Sequence, residues 1–153
     1  MGFPAVYNRD SKVLILGSFP SVKSRQISFY YGNPQNRFWK MLCGYFQEEI
    51  PDSVEGKKSF LLEHGIALWD MVSSCEIIGS SDASIQHEQL VDLEVLFQTA
   101  NVQLILLNGT LAYTLFLKKY EDIGIPYRKM PSTSPANPRY NQDAWYEALH
   151  DVL

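Results

Sequence analysis

Cysteine and histidine are scarce in this chain of 153 residues: two cysteines, Cys43 and Cys75, and three histidines, His64, His87 and His150. Two distant cysteines exclude a disulfide scaffold and any four-cysteine zinc or iron–sulfur site. The histidines show neither H-x-x-x-H nor H-E-x-x-H spacing, which removes the common zinc hydrolase patterns. There is no G-x-x-x-x-G-K-[ST] loop and no G-x-G-x-x-G, so the usual phosphate cradles of nucleotide enzymes are missing. Gly17-Ser18-Phe19-Pro20-Ser21 is not a G-x-S-x-G nucleophile elbow, because its serines flank the centre. No run approaches the roughly 20 apolar residues that span a bilayer. The start, Met1-Gly2-Phe3-Pro4-Ala5-Val6, lacks the basic and apolar segments of a secretory signal. These absences, with 46% hydrophobic residues, lead to the expectation of one soluble cytoplasmic domain over residues 1–153, with no membrane contact.

Acidic residues are also absent where it matters. The formal net charge is −4, which by itself argues against nucleic acid. Yet residues 11–47 contain no Asp or Glu, while Lys12, Lys23, Arg25, Arg37 and Lys40 are all basic. Residues 123–142 are likewise acid-free and carry Arg128, Lys129 and Arg139. Chance clustering of solvated cations explains either segment alone. Two of them, both rich in loop residues, point to one anion-facing surface.

What is present reads as alternating strands and helices. Lys12–Leu16, Ile66–Trp69, Val102–Leu107 and Ile125–Met130 are short apolar runs expected to be buried strands. Helices are expected from near Pro34 or Gln35, before His64-Gly65, across Leu90 to Phe97, after Asn108-Gly109, and around Trp145 to Val152. The polar stretch Ser73–Ser84 reads as a loop. This alternation predicts an α/β fold, a three-layer αβα sandwich around a central, mostly parallel four-stranded sheet. Ligands of such sheets sit outside the carboxyl ends of the strands. The loops leaving those ends are 17–36, 70–84, 108–109 and 131–141.

The first and last of these loops hold the candidates. Ser18, Ser21, Tyr30, Tyr31, Asn33 and Asn36 lie in one; Ser132, Thr133, Ser134, Asn137 and Arg139 lie in the other. Small hydroxyls beside backbone N–H groups suit phosphate oxygens, aromatic faces suit a base, and amides read base edges. Each residue also has an ordinary explanation. Tyr30 and Tyr31 fit a core, Asn33 a turn, and Asn36 a helix cap. Paired carboxylates are missing from this mouth, so its chemistry is expected to run on neutral polar groups and backbone dipoles.

The run Gly17-Ser18-Phe19-Pro20-Ser21, followed by Tyr30-Tyr31-Gly32-Asn33-Pro34-Gln35-Asn36-Arg37-Phe38-Trp39, resembles the first motif of the hypoxanthine-DNA glycosylase family, a branch of the uracil-DNA glycosylase superfamily. Gly65-Ile66-Ala67-Leu68-Trp69-Asp70-Met71-Val72, Leu107-Asn108-Gly109-Thr110-Leu111-Ala112 and Ser132-Thr133-Ser134-Pro135-Ala136-Asn137 are similar to further family segments, in the same order. The resemblance implies excision of a deaminated base from DNA, hypoxanthine first and uracil second, by hydrolysis of the N-glycosidic bond. It implies no metal, no cofactor and no strand cleavage.

Position by position, it puts the catalytic amide at Asn36, with Asn33 as the second candidate. The third position of the first motif, an Asn in the neighbouring mismatch-specific branch, is Phe19 here. The His-Pro-Ser second motif of sister branches is absent. Phe19, Tyr30, Tyr31 and Asn108 are then expected at the base. Ser18, Ser21, Arg37, Ser132, Ser134, Asn137 and Arg139 are expected along the DNA backbone, and the protein is expected to act as a monomer. The competing readings are a uracil-preferring enzyme and a non-catalytic DNA- or nucleotide-binding α/β module.

Overall fold

A computed structural model of the chain describes residues 3–19, 29–77 and 85–153, with 73–77 and 85–89 described by their backbone. Four strands, β1 (Val13–Gly17), β2 (Ile66–Asp70), β5 (Leu104–Asn108) and β6 (Tyr127–Met130), form an all-parallel sheet in the order β2-β1-β5-β6. Both faces of β1 are fully covered, the burial that its unbroken Val-Leu-Ile-Leu run calls for. Five helices are described: α1 (Phe38–Tyr45), α2 (Val54–Glu63), α3 (Glu94–Thr99), α4 (Thr110–Tyr120) and α5 (Gln142–His150). One face of the sheet packs Phe38, Met41 and Leu42 of α1, Phe60 and Leu61 of α2, and Trp145 and Leu149 of α5. The other packs Leu96 of α3 and Ala112, Leu115 and Phe116 of α4. The expected αβα sandwich is the observed fold.

Two expectations are corrected. The stretch from Ser73 is not simply a loop: β3 (Val72–Ile77) pairs antiparallel with β4 (Ile85–Leu90), and Leu90 closes this hairpin instead of opening a helix. Its polar sequence carries no run of apolar residues that would mark a strand, and the pairing comes from backbone hydrogen bonds. The helix α1 starts at Phe38, not near Pro34. Asn33 Oδ1 accepts the Gln35 N–H at 3.0 Å and Asn36 Oδ1 accepts the Phe38 N–H at 2.9 Å. These side chains satisfy the backbone in turn conformations and delay the helix.

Candidate active site

Strand alternation decides which side chains meet at the carboxyl edge. Along β1, Val13 and Ile15 belong to the core under α1, α2 and α5, so Gly17 falls on that face. Asp70 follows Ile66 and Leu68 onto the same face, and Asn108 follows Leu104 and Leu106. Gly17 is in register with Asp70, and Asn108 with Met130. The β1–β5 register runs to Leu16 and Leu107, which makes Gly17 and Asn108 the next residues along. The last rung therefore reads Asp70, Gly17, Asn108, Met130 across one face of the sheet.

Gly17 is needed for close approach. A Cβ there would stand 2.6 Å from Asp70 Oδ1 and 2.9 Å from the Tyr31 hydroxyl oxygen. Tyr31 arrives from a left-handed backbone with φ of 53°, costing a residue with a Cβ about 1–2 kcal/mol. Stacking on Phe38, with centroids 4.2 Å apart, holds its ring. Asp70 Oδ2 is buried without a hydrogen-bond partner among the described residues, and the buried Tyr31 hydroxyl meets the Asn108 amide without a well-formed hydrogen bond. Burial raises the Asp70 carboxyl from its ordinary 3.8 to about 7. Tyr31 is pushed upward by burial and by the Asp70 charge, with the Asn108 amide pulling the other way.

The second loop is tied to this rung. Asn108 donates Nδ2–H to Thr133 Oγ1 at 3.1 Å and accepts the Thr133 N–H at 3.0 Å. Gly109, at φ of 100°, lets the chain pass Ser132, whose Cβ would lie 3.2 Å from a Cβ at this position. The Arg37 N–H donates to Thr133 O, and the Arg37 guanidinium donates to the carbonyls of Ser134 and Asn137. That guanidinium also lies 4.4 Å from the Tyr140 ring centroid. Trp145 Nε1 donates to Pro131 O at 2.8 Å. The loops carrying Asn36 and Asn137 are thus joined, as the two acid-free segments suggested.

The candidates separate into groups. Asn36, Asn33, Tyr31 and Asn108 come together around the last rung or on the loop above it. Asn36 spends Oδ1 on the start of α1, and Asn33 spends its own on a turn. Tyr30 is a correction: its ring is 2% exposed and its hydroxyl donates to the Phe3 and Pro4 carbonyls, so it belongs to the core and offers no face to a base. Phe19 is another, since it packs against the core on the α3 and α4 side, opposite Asp70.

Arg37 is a third correction. Its charge-assisted bonds hold a loop, and it is not directed at a phosphate. Asn137 is likewise engaged, through Nδ2 to Ser132 O and through Oδ1 from the Arg139 N–H. Ser132 and Ser134 accept backbone N–H groups within their own loop. Ser18 is half-buried and Arg139 exposed, both compatible with a DNA backbone. Ser21 lies outside the described residues. Of the other basic residues, Lys12 sits at the amino end of β1, away from this edge, and Arg128 pairs with Asp151 at 2.5 Å.

Sequence reasoning missed Asp70, a single buried carboxyl at this edge, beside which no second carboxyl stands in the last rung. The available signal was position: an acid closing the apolar run Ile66–Trp69, at the ligand end of a parallel strand.

The fold and this edge define an α/β protein of the uracil DNA glycosylase superfamily, whose family model matches residues 4–152; the chain belongs to that superfamily. Within it, the chain is 36% identical to a protein of Methanosarcina acetivorans named hypoxanthine DNA glycosylase, over 97% of this chain and 96% of that one. A protein of the same name from Methanosarcina barkeri is 31% identical over the same shares. A solution NMR structure of a candidate uracil DNA glycosylase from Methanosarcina acetivorans superposes with a TM-score of 0.86 at 32% identity, covering 98% of this chain and 96% of that one.

Proposed function

We propose that this chain, acting as a single domain over residues 1–153, excises hypoxanthine from DNA by hydrolysing the N-glycosidic bond and leaves an abasic site. The observation that carries the reading is the near-full-length similarity to proteins named for that activity, combined with an amide, Asn36, held by the Phe38 N–H next to Arg37, which ties this loop to Thr133. A base inside a duplex is out of reach, so it has to be flipped out at a cost of a few kcal/mol. Bond cleavage then builds positive charge on the sugar and negative charge on the leaving base. The Phe38 N–H holds the Asn36 amide plane in place, leaving Nδ2 and the second lone pair of Oδ1 to orient water toward C1′. A preorganised neutral group of this kind stabilises a charge-separated transition state without reorganising.

Uracil is the second substrate. The superfamily match and the name of the structural relative favour it. The reading includes a monomer working on DNA in the cytoplasm. No helix among the described residues is long and apolar enough to cross a membrane. The test is a set of labelled oligonucleotides carrying deoxyinosine, deoxyuridine or deoxyxanthosine, incubated with protein in chelator and then heated in alkali. Strand breaks should appear after alkali alone, fastest for deoxyinosine. A metal requirement, or no product from any lesion, contradicts the reading.

A further inference from the structure

We propose that Asp70 and Tyr31 together read the –CO–NH– edge that deamination creates on a base, with the Asp70 carboxylate accepting the ring N–H and the Tyr31 hydroxyl donating to the carbonyl oxygen. The inference rests on the glycosylase reading above and names the groups that would select its substrate.

In one corner of the protein Asp70 Oδ2 lacks a partner, and the Tyr31 hydroxyl, which faces the donating Asn108 amide, has no acceptor for its proton. Leaving such groups unpaired is costly, and native folds retain few of them. Both side chains converge over Gly17, yet the hydroxyl is not hydrogen-bonded to the carboxylate. One atom is an acceptor and the other a donor. That pairing complements a lactam, whose N–H and C=O are adjacent. Tyr31 is also held at positive φ, an uncommon conformation for a residue with a Cβ. The carboxyl end of β2, beside the central strand β1, is also where parallel sheets receive ligands.

Hypoxanthine presents N1–H and O6 to such a pair, and uracil presents N3–H and O4. Adenine and cytosine present the reverse. Above about pH 7, where Asp70 is ionised, their ring nitrogen brings a lone pair against the carboxylate, and a site built around a hydrogen bond rejects such a mismatch strongly. Guanine and thymine carry the same lactam edge as the deaminated bases. This pair therefore rejects adenine and cytosine, while the extra amino or methyl group of the other two bases has to be excluded by shape.

The test measures binding of wild type, Asp70→Asn and Tyr31→Phe to duplexes carrying a non-hydrolysable 2′-fluoro nucleoside: inosine, adenosine, or nebularine, which has a bare N1 and no oxygen at C6. Pairing costs of each duplex are common to all three proteins and cancel from the comparison. Asp70→Asn should lower the inosine-over-adenosine preference at least tenfold, because its amide N–H can donate to adenine N1. Tyr31→Phe, a single-atom deletion with little risk to folding, should lower the inosine-over-nebularine preference about fivefold. Preferences equal to wild type in both folded variants, or no preference for inosine in the wild type, would overturn the inference. Release of no deaminated base from cleavable duplexes would refute the glycosylase reading itself, whereas release with unchanged preferences refutes only this inference.

Discussion

In the loop from Pro131 to Asn137 the polar side chains find hydrogen bonds inside the protein, whereas around Gly17 two polar atoms find none. Thr133 is bonded through both its hydroxyl and its N–H to Asn108, Asn137 spans its own loop, and Arg37 gathers two carbonyls from below. Asp70 is also buried and Tyr31 partly so, and each retains an unsatisfied atom, as Arg37 does at Nε. Hydrogen-bonded loops hold their shape, and that rigidity fixes the position of Asn36. Unsatisfied groups are kept at the expense of stability. The site thus divides into a region that keeps geometry and a region proposed to read chemistry.

The largest effect expected from breaking this division is catalytic. Asn36→Ala should slow single-turnover excision of hypoxanthine by about 10²- to 10³-fold, the scale of losing one preorganised transition-state group. The same variant should remain folded, losing about 0.5–2 kcal/mol for the bond to the Phe38 N–H. Asn33→Ala should affect the turn far more than the rate. Near-normal rates in Asn36→Ala with loss in Asn33→Ala would move the catalytic amide three residues upstream.

Next comes a stability effect that sharpens the comparison. The Asp70 carboxyl is raised to about 7 by burial, so the folded state holds its proton after the unfolded chain has released it. Below about pH 4 both states are protonated and no penalty exists. As pH rises from about 4 to 7 the unfolded chain ionises first, and stability falls across that window. Asp70→Asn removes this slope and should be more stable than wild type above pH 7, by about 2–4 kcal/mol at roughly 1.4 kcal/mol per unit. Urea denaturation at pH 5, 6, 7 and 8 measures the difference curve. A gain in stability with a loss in base discrimination is the trade expected where function sets the residue.

Arg37→Ala attacks the region that keeps geometry. It should cost about 1–3 kcal/mol in denaturant melts, through the carbonyls of Ser134 and Asn137 left without their donor. Its effect on the salt dependence of DNA binding should be small, because the charge is directed inward. Arg139→Ala should show the smallest effect and the opposite pattern. Stability should be unchanged, and the slope of log affinity against log salt should shallow by about one. Equal salt effects from Arg37 and Arg139 would contradict the assignment of Arg37 to the loop.

The sequence alone determined the α/β architecture, because unbroken runs such as Val13–Leu16 and Leu104–Leu107 satisfy only strands covered on both faces. It also pointed to the loops after β1 and β6 as the candidate edge, since motif order and acid-free composition are linear properties of the chain. Asn33 as a turn residue and Asn36 at the helix start were legible too, because Asx bonding is local. Tertiary structure decided what depends on register and burial. Tyr30 and Tyr31 are adjacent in sequence, yet one hydroxyl reaches the Phe3 and Pro4 carbonyls and the other remains unpaired over Gly17. Arg37 turned inward because carbonyls about a hundred residues away lie within its reach. Asp70 acquires its meaning only from Gly17 beside it on the sheet, where a missing Cβ leaves room for a carboxylate and a phenol to converge.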